Sequence, residues 1–121
     1  MAADATVIYH NPRCSKSRDA LKLLQDAGVE VEVIEYLKTP PTAAQLETIL
    51  NKLAMKPEEL VRKGEAIYKE HYAGKTLSDA EWIAAMVEHP ILIERPILVK
   101  GDRAVVGRPP ERVLELLDIS R

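Results

Sequence analysis

The fold is decided by residues 6–36, TVIYHNPRCSKSRDALKLLQDAGVEVEVIEY. A short run of β-branched and aromatic residues, Thr6 to Tyr9, ends at Asn11-Pro12, a pair that blocks further strand pairing and favours a turn. From Ser15 to Ala27 apolar residues recur at helical spacing, and Gly28 is typical of a residue that ends a helix. These residues therefore predict a strand, a loop and a helix of about three turns.

A second strand is predicted directly after this helix. Val29, Val31 and Val33 alternate with glutamates before Tyr36, which is the period of a strand with one solvent-exposed face. Because one short helix connects the two strands, we expect them to be parallel, with a right-handed crossover. The N-terminal part of the chain is thus predicted to form a strand–helix–strand unit.

The central segment, about 42–90, has the pattern of helices. Residues 42–45 and 78–81, TAAQ and SDAE, are capping boxes, and each precedes an apolar stripe. Pro57 suits the first turn of a further short helix, and Pro90 ends the helical pattern. The predicted core residues of this insertion are Leu46, Ile49, Leu50, Leu53, Trp82, Ile83, Met86 and Val87.

Strand character returns near the C-terminus. Ile97–Val99 and Ala104–Val106 flank the turn residues Gly101-Asp102, which predicts an antiparallel hairpin. Pro109-Pro110 then opens a last helix, with Val113, Leu114, Leu116 and Leu117 on its core side. The whole order requires an α/β fold, with a mixed sheet and helices on both faces, and a thioredoxin-like sheet satisfies it. We predict a single domain over residues 1–121.

Length and composition narrow the class of protein. The 121 residues have the length of one domain, and 46% hydrophobic with 30% charged residues is an ordinary globular balance. A net charge of −2 with scattered Lys and Arg argues against a nucleic-acid partner. The N-terminus has no secretory signal and no segment is apolar enough to span a membrane, so we expect a cytoplasmic location. His71 and His89 lack metal-ligand spacing, and we expect no bound metal or cofactor.

The single cysteine, Cys14, lies where the first strand passes into the first helix. A lone cysteine forms no internal disulfide, so it is either an inert buried thiol or a reactive one. Free N–H groups at a helix start stabilise a thiolate, and Arg13, Lys16, Arg18 and His10 are candidate sources of positive charge. Because Cys14 stands among polar residues in a turn and not on the apolar stripe, we favour a reactive thiol.

Neighbouring positions weigh against two common types of thiol enzyme. A tyrosine phosphatase loop has an arginine six residues after its cysteine, and this chain has Ala20 there. A dithiol oxidoreductase has a resolving cysteine three residues on, where this chain has Ser17. Redox turnover at Cys14 would therefore need thiols from outside the protein, for which glutathione and glutaredoxin are the obvious suppliers.

Five segments of the sequence occur in the same order in a known family. The first is the cysteine loop HNPRC at 10–14, continued by Ser17-Arg18. The later segments are 36–42 (YLKTPPT), 60–63 (LVRK), 89–97 (HPILIERPI) and 107–109 (GRP). With these segments, which extend over nearly the whole chain, the sequence resembles the glutaredoxin-linked arsenate reductases of ArsC type, which have a thioredoxin-like fold.

This resemblance implies a role for six residues. Cys14 would attack arsenate, and Arg62, Arg95 and Arg108 would bind the oxyanion. Glutathione would attack the cysteine–arsenate adduct and reduce arsenic from V to III, and glutaredoxin would remove the mixed disulfide before arsenite leaves. His10 would assist formation of the thiolate, and Ser17 would hydrogen-bond the cysteine. By the same resemblance the bond before Pro96 is cis.

Two other functions are compatible with these residues. One is a glutathione-dependent thiol–disulfide reductase, which would use Cys14 without the three arginines. The other is a redox regulator similar to Spx that binds RNA polymerase, although such regulators commonly use a cysteine pair that Ser17 excludes here.

Overall fold

The computed structural model describes residues 6–117. Residues 1–5 and 118–121 lie outside this range. Residues 1–5 include most of the N-terminal segment on which the expectation of no secretory signal rests. The chain divides into two compact units, one formed by the residues up to Thr39 and from Arg95 onward, the other by Pro40–Glu94. The second, called the central unit below, contains the predicted helical insertion. That all 121 residues form a single domain stays a prediction.

A mixed four-stranded sheet is the framework of the first unit. Its strands are β1 (Thr6–His10), β2 (Glu32–Glu35), β3 (Ile97–Lys100) and β4 (Arg103–Val106), in the spatial order β2-β1-β3-β4. β1 pairs with β2 in parallel, and β3 pairs with both β1 and β4 in antiparallel. The predicted parallel pair, hairpin and mixed α/β sheet are confirmed.

Two helices pack on one face of this sheet. Helix α1 (Ser15–Asp26) ends before Gly28, whose positive φ of 76° explains the glycine there. The last helix, Pro110–Leu117, is a 3₁₀ helix, so its buried residues recur every third position. The buried core of this unit is formed by Ile8, Ala20, Leu24, Leu98, Val105, Val113 and Leu116.

The strand predicted from Val29 begins later, because β2 starts at Glu32. Val29 and Val31 pack against the core without strand pairing, as part of the connection that returns the chain from α1. β2 forms an edge of the sheet, and Val33 on this strand is 41% exposed. The sequence predicts Val29, Val31 and Val33 on one buried face, and this prediction is wrong for Val33.

The central unit is helical, as predicted. It contains helices α2 (Ala43–Leu53), α3 (Ala66–His71) and α4 (Asp79–Glu88), and two 3₁₀ helices, Pro57–Leu60 and Pro90–Leu92. Both capping boxes are formed. The sequence did not indicate α3 or the turn at Pro90, since both are too short for a clear apolar period.

Trp82 lies at the centre of the central unit, where α4 packs against α2 and both 3₁₀ helices. Trp82 is 1% exposed and Met86 fully buried, which confirms their prediction as core residues. The rings of Tyr68 and Tyr72 lie 6.1 and 6.0 Å from the Trp82 ring. Within residues 6–117, no helix is both long and apolar enough to cross a membrane.

Candidate active site

The strand register explains how distant parts of the sequence meet at one edge of the sheet. Tyr9, near the end of β1, is opposite Ile97 at the start of β3, and Ile97 is opposite Val106 at the end of β4. The loop after β1, the segment before β3 and the loop after β4 therefore lie at the same edge of the sheet. These loops carry Cys14, Arg95 and Arg108, respectively.

Cys14 is the N-cap residue of α1, with extended backbone angles (φ −96°, ψ 122°). Its N–H donates to the Asn11 carbonyl at 3.0 Å, and its carbonyl accepts from the Arg18 N–H at 3.0 Å, the first bond of the helix. The thiol is half-buried. The first turn of α1 contains no acidic residue, so no side chain of that turn brings a carboxylate to its N–H groups.

The pKa of the Cys14 thiol lies below its ordinary value of 9.0. Burial, the largest single contribution, raises this pKa, but several hydrogen bonds to sulfur outweigh it. They come from the Ser17 backbone N–H, the Arg95 side chain and the Lys16 backbone N–H, and the charge of Arg95 adds to them. Backbone N–H groups of α1 and one arginine from the β3 side thus favour the thiolate.

Two arginines lie at the thiol. Arg108 Nη1 is 3.9 Å from Cys14 Sγ and donates to the Arg95 carbonyl at 3.1 Å. Arg95, whose side chain hydrogen-bonds the sulfur, is only 7% exposed. The Arg95–Pro96 bond is cis, as the resemblance implied, and so is Arg108–Pro109, which the sequence did not indicate.

Gly107 holds the loop of Arg108 against the start of β3. Its N–H donates to the Pro96 carbonyl at 2.9 Å, and a Cβ at this position would lie 2.9 Å from both Pro96 Cγ and Val113 Cγ1. Such contacts are closer than real Cβ atoms allow, so the close approach requires glycine. In the sequence, the family match at 107–109 is the only signal of this glycine.

His10, Asn11 and Ser17 form a buried hydrogen-bond network under the cysteine loop. Ser17 Oγ lies 2.7 Å from His10 Nδ1 and accepts from the Asn11 N–H at 3.0 Å. Asn11 Oδ1 accepts from the Arg13 N–H at 2.9 Å, an Asx turn that shapes the loop. The Ser17 hydroxyl is therefore hydrogen-bonded to His10 and Asn11, whereas the Ser17 backbone N–H donates to Cys14 Sγ. Asn11, which the sequence marks only as part of a turn, thus joins the loop to this network.

The pKa of His10 is lowered from 6.5, because burial penalises the imidazolium and Arg18 opposes it, with Glu35 acting in the other direction. His10 is therefore neutral at neutral pH and adds no positive charge to the loop. Arg13 and Lys16 are exposed, and Arg18 donates to the Pro12 carbonyl at 2.9 Å.

A pH dependence of stability follows from the neutral, buried His10. Below pH about 6.5, His10 binds a proton in the unfolded chain but stays neutral in the folded chain. The free energy of unfolding therefore falls with pH, by up to about 1.4 kcal/mol per pH unit, until His10 is protonated in the folded chain as well. We expect urea unfolding at pH about 7.5 and about 5.5 to show this loss, and His10→Gln to reduce it. An equally steep pH dependence in His10→Gln, with exposed His71→Gln as the control, would contradict this account.

Arg62, the third predicted arginine, belongs to the central unit. Its Nε donates to Glu65 at 3.0 Å and its Nη1 to Glu94 at 2.6 Å. Burial acts to lower the pKa of Arg62, but the hydrogen bonds and charges of Glu94 and Glu65 raise it. Nothing in the sequence pattern marks these two glutamates as partners of Arg62. Across residues 6–117, no cluster of three His, Cys, Asp or Glu side chains is arranged to hold a metal ion.

The family of the chain follows from comparison with known proteins. The profile of the ArsC family matches residues 9–116, nearly the full sequence. The chain therefore belongs to the ArsC family, as its motifs indicated.

Individual relatives agree with this assignment. A protein of Escherichia coli K12, named YfgD and described as uncharacterized, is 53% identical over 91% of this chain and 94% of its own length. A relative from Haemophilus influenzae named arsenate reductase is 42% identical over 93% of this chain and 99% of its own. The structure of an arsenate reductase from Vibrio cholerae has a TM-score of 0.89 at 47% identity, covering 93% of this chain and 97% of that one. The predicted thioredoxin-like fold is confirmed.

Proposed function

We propose that this protein reduces arsenate to arsenite, with Cys14 as the nucleophile and with glutathione and glutaredoxin as external thiol donors. The observation that carries the proposal is the thiol of lowered pKa beside Arg95 and Arg108. Relatives in Haemophilus influenzae and Vibrio cholerae that carry the name arsenate reductase support the choice of substrate.

In the first step, the Cys14 thiolate attacks arsenic. An Sγ–As bond forms and one arsenate oxygen leaves as water after protonation, so arsenic stays in oxidation state V. The N–H groups that stabilise the thiolate also suit a tetrahedral oxyanion, which brings the electrophile to the nucleophile. We assign the remaining oxygens to Arg62, Arg95 and Arg108, since guanidinium groups offer fixed, always-charged donors.

Reduction follows when glutathione attacks Cys14 Sγ. An S–S bond forms, the Sγ–As bond breaks, and its electron pair stays on arsenic, which passes from V to III. The glutathione proton goes to an arsenite oxygen. Glutaredoxin then takes the glutathionyl group by thiol–disulfide exchange, which restores the Cys14 thiolate, and arsenite leaves.

External thiols are part of the proposal because the sequence has one cysteine. No second thiol of the chain is available to form an internal disulfide, so the two electrons come from other molecules. A cytoplasmic location, where glutathione keeps thiols reduced, is proposed on the same ground. In the proposed cycle glutathione is a co-substrate and no cofactor is bound.

A coupled assay tests this function. The full chain is mixed with arsenate, glutathione, glutaredoxin, glutathione reductase and NADPH, and NADPH oxidation is followed. We expect oxidation that requires arsenate and is lost when glutathione or glutaredoxin is omitted. Oxidation that a small disulfide drives without arsenate, at a rate above that of the same mixture lacking the chain, would favour a thiol–disulfide reductase. If neither substrate is reduced and the chain retains RNA polymerase subunits from a lysate, the Spx-like alternative gains.

A further inference from the structure

Arg62 is held between two carboxylates in the central unit. The Arg62 N–H donates to the Leu92 carbonyl at 2.7 Å, and the Glu94 N–H donates to the Leu60 carbonyl at 2.9 Å. These two bonds flank an antiparallel bridge between Val61 and Ile93, and Arg62 and Glu94 each directly follow one of the bridged residues. The Arg62 side chain meets Glu94 at 2.6 Å and Glu65 at 3.0 Å. Backbone and side chains thus fix the guanidinium together.

These bonds occupy the donors that oxyanions normally use. A guanidinium binds an oxyanion in bidentate fashion through two parallel N–H groups, either Nε with Nη2 or Nη1 with Nη2. In Arg62 the Nε donates to Glu65 and the Nη1 donates to Glu94. Each edge therefore already has one nitrogen engaged with a carboxylate, and an oxyanion must displace that carboxylate or accept a weaker single contact.

The surroundings of Arg62 strengthen its ion pairs with the two carboxylates but leave the guanidinium accessible to a small anion. The side chains of Arg62, Glu65 and Glu94 are only 24–27% exposed, so solvent screens their charges less than those of a surface pair. Arg62 and Glu94 nevertheless line a cleft of about 440 Å³, together with Glu58 and Lys63. A small anion can reach the guanidinium, but it meets carboxylates there.

We propose that Glu65 and Glu94 are specificity-determining residues that compete with the oxyanion for Arg62. They weaken binding of doubly charged arsenate more than that of the singly charged ion, because each added charge increases the repulsion. The proposal rests on the proposed function, in which Arg62 binds the oxyanion.

Neutral isosteres of the two glutamates test the proposal. Sodium arsenate is titrated calorimetrically into the full chain, without glutathione, for the wild type, Glu65→Gln and Glu94→Gln. We expect each substitution to lower the dissociation constant by about tenfold. The gain should be larger at pH about 8 than at pH about 6, since arsenate gains its second charge between them. In the coupled assay KM should fall, with kcat little changed.

Glu58→Gln is the matched control. Glu58 lines the same cleft and loses the same charge, but it pairs with Lys63 at 3.2 Å instead of Arg62. We expect its dissociation constant to stay near the wild-type value. The gain from Glu94→Gln should also vanish when Arg62→Ala is added, because the competition acts through the guanidinium.

Weaker or unchanged arsenate binding in Glu65→Gln and Glu94→Gln would overturn the proposal. An equal gain in Glu58→Gln, or a gain that survives Arg62→Ala, would overturn it as well. If no variant reduces arsenate, the proposed function fails, whereas the titrations still decide the competition.

Discussion

Replacing Cys14 by serine is expected to lower arsenate-dependent NADPH oxidation in the coupled assay by about a thousandfold or more. A serine hydroxyl has nearly the shape of the thiol but stays protonated at neutral pH, so it is a far weaker nucleophile for arsenic. No other cysteine of the chain can replace it. In the proposed function, the N–H groups of α1 and the guanidinium of Arg108 stay in place and bind the oxyanion without reacting.

The serine variant should fold as the wild type does. Cys14 is half-buried, and its backbone hydrogen bonds to Asn11 and Arg18 do not involve sulfur. Thermal unfolding followed by circular dichroism should therefore give similar midpoints for the two proteins. Retained arsenate reduction in a folded Cys14→Ser protein would remove Cys14 from the mechanism.

Arg95→Ala is expected to produce the second large effect, because Arg95 hydrogen-bonds the thiol and, in the proposed function, also binds the oxyanion. Burial raises the pKa of Cys14, and without the hydrogen bond and charge of Arg95 less remains to oppose it, so this pKa must rise. We expect alkylation of Cys14 by iodoacetamide at neutral pH to slow by about tenfold, and its pH profile to move upward. Arsenate kcat/KM should fall by about a hundredfold, because an oxyanion donor is also lost.

Arg95→Ala distinguishes the role of Arg95 from that of Arg108. Arg108 donates to the backbone carbonyl of residue 95, which alanine retains, so Arg108 keeps its anchor. Arg95→Lys should recover part of the alkylation rate because it keeps the charge without the planar fork. The exposed Arg103→Ala is the control for loss of a cation. A pH profile of alkylation that is the same in Arg95→Ala as in the wild type would contradict the assigned role.

Most of the fold could be predicted from the sequence because its signals are local. The capping boxes at Thr42 and Ser78 each depend on four consecutive residues, and both form. Gly28 follows α1 with a positive φ, a conformation that glycine adopts without strain. The alternation predicts too early a start for β2, because it includes both Val29 and Val33 although only Val33 lies in the strand. Alternation does not reveal where strand pairing begins.

The candidate site was predicted less completely, because its contacts depend on tertiary structure. Cys14 is recognisable in the sequence from its place at a helix start. The convergence of Arg95 and Arg108 depends on strand register, and only the family resemblance singled them out. The local sequence does not indicate that Glu94, 32 positions away, is the partner of Arg62. It also does not indicate that Pro96 and Val113 enclose Gly107.

The burial of Trp82 has a practical consequence for studying how the chain unfolds. Trp82 is the single tryptophan of the sequence and lies in the central unit, whereas the single cysteine lies in the other unit. Indole emission therefore monitors one unit and thiol labelling the other, without any engineered probe. Following both signals through one urea titration measures the cooperativity of the molecule: coincident midpoints mean that the two units melt together, and separated midpoints give the stability of each.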